Sequence, residues 1–186
     1  MLPGFIHVDI ADFAHIDYRS PIDRLGMFES RVADEIYSSH SLEYFDLFET
    51  EAALREWWRV LKPGGELYLA VPDFRALIRV YEETQDLAAI HGPLFGRWPV
   101  LGTDEVVYHK SAWDSTTLVK TLSHAGFEDI EAYDPAEFLS SIDPDFDDYS
   151  LAFYPHFDRT GIQISLCLRA RKPEGQSGKR EVVLDL

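Results

Sequence analysis

Residues Ala33 to Asp73 read ADEIYSSHSLEYFDLFETEAALREWWRVLKPGGELYLAVPD, and the order of patterns in this stretch decides the fold. Asp34 to Ser39 is short and holds Ile36 as its clearest core residue, which suits a strand ending in the polar tip Ser38-Ser39-His40. Leu42 to Phe45 opens a brief helical turn. Thr50 is then placed to N-cap a helix reaching about Lys62, its hydroxyl accepting a free N–H of the first turn. Leu54, Trp57, Trp58 and Leu61 recur at i, i+3, i+4 and i+7, so one face of that helix is apolar. Pro63-Gly64-Gly65 stops it, and Glu66 to Val71 is a second strand closed by Pro72-Asp73.

Strand, helix and strand in that order predict parallel pairing, and the flanks extend the alternation. Upstream, Phe5 to Ile10 is a buried strand ending near Asp9, His15 to Tyr18 a weaker one, and Ile22 to Val32 an irregular connection broken by Gly26. Downstream, a helix from Phe74 to about Ala89 carries Phe74, Leu77, Ile78 and Tyr81 on one side. A loop from Gly92 to Gly102 holds Phe95 and Trp98, either packed down or turned toward a ligand. Asp114 or Ser115 caps a helix of Thr117 to Ala125, which Gly126 ends.

Asp129 to Tyr133 and the alternating run Ile162 to Leu168 then form a hairpin-like pair. Between them, 134–160 is rich in acids and aromatics without a clean period, the pattern of a loop or lid. The expected architecture is an α/β, Rossmann-like sandwich with a mainly parallel sheet and an antiparallel C-terminal strand. It occupies 1–172 as one domain, followed by a flexible tail, 173–186. Ligands of such sheets sit beyond the carboxyl ends of the strands, which selects Asp9, Asp17, Ser38 to His40 and Pro72-Asp73 as neighbours of one crevice.

Composition narrows the partners. A chain of 186 residues with 33 acidic against 17 basic side chains has a formal net charge of -16, which repels phosphate backbones and anionic lipid. Nucleic acid and membrane are excluded as expected partners. No apolar run approaches the ~18 residues of a membrane span, and the start lacks the pattern of a signal peptide. The single cysteine, Cys167, makes no internal disulfide, and a reduced, cytoplasmic setting follows. The seven histidines are scattered, and no pair has zinc-ligand spacing. Asp143, Asp145 and Asp147 alternate like a calcium loop, but the glycine and closing glutamate of that loop are missing, so no metal is expected.

The segment Asp34-Glu35-Ile36-Tyr37-Ser38-Ser39-His40-Ser41-Leu42-Glu43-Tyr44-Phe45, with Arg59-Val60-Leu61-Lys62-Pro63-Gly64-Gly65 and Ala125-Gly126-Phe127, resembles the class I S-adenosylmethionine-dependent methyltransferases, in particular a small bacterial branch. The resemblance implies a methyl donor, S-adenosylmethionine, and a small-molecule or saccharide acceptor. It implies that Asp9 holds the ribose hydroxyls, that Asp17 meets the adenine amino group, and that Ser39 and His40 line the methionine end. His40 and His109 are the candidate bases, against the plainer readings of a structural hydrogen bond and a solvated loop histidine. Two departures stand beside the match. Family members place a central strand and a GxGxG loop before the segment that starts here at Met1-Leu2-Pro3-Gly4, and Tyr44 replaces a frequent histidine. A sheet without that strand leaves backbone groups to be paired by a second copy or a partner chain. The alternative to an enzyme is therefore a degenerate, non-catalytic relative acting as a binding or partner subunit.

Overall fold

A computed structural model describes residues 2–155 and 159–175 of the chain. Its strands are β1 (Val8–Asp9), β2 (Tyr18–Arg19), β3 (Ala33–Ser39), β4 (Leu61–Pro72), β5 (Arg97–Pro99), β6 (Val106–Tyr108), β7 (Glu128–Ala132), β8 (Phe153–Tyr154), β9 (Ile162–Gln163) and β10 (Ser165–Arg171). The helices are α1 (Leu47–Val60), α2 (Phe74–Thr84), α3 (Ala88–Phe95), α4 (Ser115–Ala125) and α5 (Pro135–Ile142), with 3₁₀ turns at Leu42–Tyr44 and Tyr149–Leu151.

The main sheet has the order β3-β4-β10-β7. β3 runs parallel to β4, and β10 is antiparallel to both β4 and β7, so three of the four strands point one way. This is the mixed α/β sandwich expected, with its antiparallel C-terminal strand. β1 and β2 form a separate parallel pair, and among the described residues β3 has a ladder partner only on its β4 side.

Alternation along β4 divides the two faces. Leu67, Leu69 and Val71 join Leu168 and Ala170 of β10 in a core closed by α1 and α4 through Leu54, Trp57, Leu118 and Leu122. On the other face Tyr68 stacks on Phe138 of α5 with ring centroids 4.1 Å apart, and Tyr37 and Tyr133 pack on the same phenyl ring. The acidic aromatic stretch 134–160, read as irregular, thus contains a helix. Asp134 starts it by accepting the N–H groups of Ala136 and Glu137, and Pro135 stands at its first position, where no N–H is needed.

Four other expectations change. The cap of α1 is Asp46, not Thr50: Asp46 accepts from the N–H of Phe48 and Glu49, while the Glu49 carboxylate accepts from the Asp46 N–H. Such a reciprocal pair satisfies more orphan donors than one threonine can, and Thr50 is buried inside the helix. Pro63-Gly64-Gly65 lies within β4 as a register shift rather than before it. Gly65 is required there because a Cβ would stand 2.9 Å from the Asp34 carbonyl oxygen. The helix after Asp73 ends at Thr84, where Gln85 turns left-handed, and the Gly92–Gly102 loop is resolved into α3 and the β5–β6 hairpin. Within the expected tail, 176–186 lies outside the described residues.

Candidate functional site

β3 delivers its last side chains to the end of the sheet in an unusual backbone state. His40 has φ 49, in the left-handed region that residues bearing a Cβ seldom adopt, and its N–H donates to the Ala70 carbonyl of β4 at 2.8 Å. The bend turns the imidazole toward β10 and toward the 3₁₀ turn that follows. Ser165 has one hydroxyl hydrogen, and it goes to the Tyr149 carbonyl at 2.6 Å. Its oxygen therefore accepts from His40 Nε2 at 2.8 Å, which fixes that nitrogen as N–H. The other ring nitrogen, Nδ1, faces Glu43 Oε1 at 3.3 Å.

His109 meets the same carboxyl group from the other side of the chain. Its Nδ1 lies 2.8 Å from the Pro93 carbonyl oxygen, which only accepts, so Nδ1 carries a proton and Nε2 faces Glu43 Oε1 at 3.9 Å. The ring fits because residue 96 is glycine: a Cβ there would lie 2.5 Å from His109 Nε2. The Glu43 backbone is held by the N–H groups of Lys110 and Ser111, which donate to its carbonyl at 2.7 and 3.2 Å. Residues distant in sequence thus converge on one glutamate, which is 1% exposed and, among the described residues, has no hydrogen-bond donor on either carboxyl oxygen. Buried carboxyl groups are ordinarily bonded, and one left unbonded costs stability.

Around this group lie aromatic rings. Tyr44 packs edge-on against His109 at 4.8 Å, and Tyr149 lies 5.8 Å from His40 and 6.5 Å from Trp98. Burial, then the neighbouring Glu43, Tyr149 and Asp9, push the Tyr44 hydroxyl well above the usual phenol range. Asp9 ends β1. Its Oδ1 accepts the Ala11 N–H at 2.7 Å, leaving Oδ2 without a bonded donor among the described residues. Ser39 adds a buried hydroxyl within reach of the Tyr37 hydroxyl.

Asp17 sits elsewhere. It precedes β2, at the opposite end from Asp9, and its Oδ2 accepts the His7 N–H at 2.8 Å, which with burial opposing holds the carboxyl below its usual range. It does not share the crevice with Ser39 and His40. Phe95 and Trp98, set between packing and ligand contact, are both half exposed. Glu43 escaped the sequence reading altogether, since a glutamate beside Leu42 and Tyr44 looks like the wet side of a turn. Its only available signal was its place in the DEIYSSHSLEYF segment.

Among the described residues no group of three or more His, Cys, Asp or Glu is arranged to hold a metal ion, and no helix is long and apolar enough to cross a membrane.

Comparison with known proteins adds the family context. Residues 9–69, about a third of the chain, match the model of a methyltransferase domain. A solved S-adenosylmethionine-dependent methyltransferase from Archaeoglobus fulgidus superposes with a TM-score of 0.51 at 18% identity, over 90% of this chain and 75% of that one. The chain has the fold of S-adenosylmethionine-dependent methyltransferases. The PH0226 protein of Pyrococcus horikoshii OT3 gives a TM-score of 0.52 at 16% identity, over 91% of this chain and 72% of that one. A possible exported protein from Bordetella parapertussis gives 0.51 at 18% identity; 86% of this chain is covered, but it spans only 45% of that protein. No match of comparable strength was found among curated proteins. Within the methyltransferase fold, the matched residues 9–69 include Asp9, Ser39, His40 and Glu43.

Proposed function

We propose that the chain binds S-adenosylmethionine at the carboxyl ends of β1 and β3 and takes part in methyl transfer to a small-molecule or saccharide acceptor. The observation that carries this reading is the set of polar groups left without a bonded partner there among the described residues: Asp9 Oδ2 and both oxygens of Glu43. A protein that used these groups only for folding would gain by satisfying them. The cofactor, when bound, supplies an activated methyl group. Asp9 Oδ2 accepts a ribose hydroxyl, and Ser39 with the His40 main chain meets the methionine portion.

Methyl transfer is an in-line displacement, so alignment and exclusion of water are the protein's main contributions. An acceptor hydroxyl or amine must also lose a proton. As positioned, each ring nitrogen of His40 and His109 faces a protein atom. His40 and His109 therefore act together with Glu43, which lies between them, rather than as free bases. Half-exposed Trp98 and Tyr149 flank the same cluster and offer the acceptor a stacking surface.

Calorimetric titration with S-adenosylmethionine and S-adenosylhomocysteine tests the reading. Binding that is lost in Asp9→Ala is expected; the absence of heat at millimolar ligand sinks it. The unpaired edge of β3 favours a second reading, a non-catalytic subunit in which a partner chain adds a strand. Asp34 and Glu35 make that edge acidic, so its partner strand would be basic. Absence of cofactor binding together with stable capture of a basic strand would favour it.

A further inference from the structure

α2 carries two features that its own fold leaves unexplained. Its inward face is formed by Ala76, Leu77 and Val80, which are buried. Phe74, Ile78 and Tyr81, at i, i+4 and i+7, form a second apolar stripe, and each is 41% exposed. The sequence pattern places them with Leu77 on one packed side, yet nothing in the chain covers them fully.

The second feature is charge order. A helix is stabilised by acids in its first turn and bases in its last. α2 has neither; Arg75 lies in its first turn, Arg79 at its middle, and Glu82 and Glu83 in its last turn. This order opposes the helix dipole. The Asp73 carboxylate caps the start by accepting the Arg75 N–H, but none of the four charged side chains forms an ion pair among the described residues.

An antiparallel contact with an identical helix resolves both features. A two-fold axis through Ile78 sets residue 74 opposite residue 82 of the other copy and 75 opposite 81, so Phe74 and Tyr81 meet across the axis. The same axis places Arg75 beside Glu82 of the second copy, and the symmetry repeats that pair. Arg75 and Glu82 of each helix then face their opposites, and the two dipoles run antiparallel. From α2 we infer that the protein self-associates as a two-fold dimer, with a second copy of this chain as the occupant of its Phe74/Ile78/Tyr81 face. This inference stands apart from the methyl-transfer reading. With 11 residues, α2 is about 16 Å long. A patch of that length is smaller than the roughly 800 Å² per partner of a stable interface, so the dimer belongs to the weak, concentration-dependent class.

Sedimentation velocity over a concentration series from about ten to several hundred micromolar tests it, at fixed salt because surface pairs are screened. The wild-type protein is expected to shift from monomer toward dimer. Arg75→Glu sets two glutamates against each other across the axis, and association is expected to weaken at least tenfold. The double variant Arg75→Glu/Glu82→Arg keeps the net charge and is expected to restore it. Arg55→Glu, the same charge change on the exposed side of α1, is expected to leave association near the wild-type level. Circular dichroism reports whether each variant is folded. A wild-type protein that stays monomeric throughout overturns the inference. So does a dimer insensitive to Arg75→Glu, or a folded double variant that fails to recover.

Discussion

Glu43→Gln is expected to stabilise the protein. The glutamate is 1% exposed, and neither carboxyl oxygen receives a hydrogen bond. His40 Nδ1 stands 3.3 Å and His109 Nε2 3.9 Å from Oε1, and each histidine already donates its other nitrogen's proton elsewhere. Leaving a buried polar group unbonded costs about 1–3 kcal/mol. A glutamine of nearly the same shape turns one acceptor into a two-hydrogen donor facing these two nitrogens. A gain of about 1–2 kcal/mol is expected, at the low end of that range because one amide oxygen remains without a donor. For a chain of this size that corresponds to a rise in midpoint of about 2–8 °C. Urea unfolding with an unchanged m-value gives the difference directly. Destabilisation by more than about 1 kcal/mol would refute the reasoning, since it would show the carboxyl to be satisfied in the folded protein by a donor from one of the imidazoles. A gain in stability on losing a carboxyl marks a residue kept for something other than folding.

Two further outcomes follow from the geometry. Asp46→Ala removes one arm of the reciprocal cap of α1 and is expected to cost about 1 kcal/mol, read as a lower urea midpoint with the same m-value. Cys167 is buried, and burial followed by the charge of Asp148 pushes its thiol up to about 12 from 9.0. Its unfolded form ionises first, so stability is fully present below pH 9 and declines as pH rises from there toward 12. A disulfide reagent at pH 8 is accordingly expected to label Cys167 only as fast as the protein opens, and immediate labelling of the folded chain would contradict the burial.

The strand–helix–strand unit was legible because its signals are local. The stripe of Leu54 and Trp57 needs only helical spacing, although Leu61, expected to continue it, opens β4, and Gly126, at φ 100, ends α4 where a residue without Cβ is favoured. Asp114, one of two candidates, proves to be the cap of α4. Errors arose where a local signal competed with a distant contact. Thr50 is a good cap residue in isolation, but Asp46 and Glu49 form a better one a turn earlier. Pro63-Gly64-Gly65 looks like a break, yet pairing with β3 and the Lys172 carbonyl, which accepts the Gly64 N–H, carries the strand through it. The site divides the same way. Ser39 and His40 could be placed at the end of a strand because strand ends are readable, and β3 does end at Ser39. Glu43 was missed because its burial depends on His109, Lys110 and Ser111, whose approach no period in the sequence announces.

The position of β10 bears on how the chain comes to be made. It is the last described strand in sequence, yet it lies between β4 and β7 and satisfies an edge of each. Just beyond it, Lys172, 2% exposed, donates to the carbonyls of Trp58 and Leu61 at 2.6 Å each, tying the end of the sheet to the junction of α1 and β4. During synthesis β4 therefore waits, with Leu67, Leu69 and Val71 made and one edge open, until residues roughly a hundred positions later emerge. At about 5–20 residues per second that interval is on the order of 5–20 s, long compared with local helix and hairpin formation. The nascent chain is most vulnerable to intermolecular strand pairing in that interval. Ribosome-bound chains ending before β10 are the species that chaperones would be expected to hold.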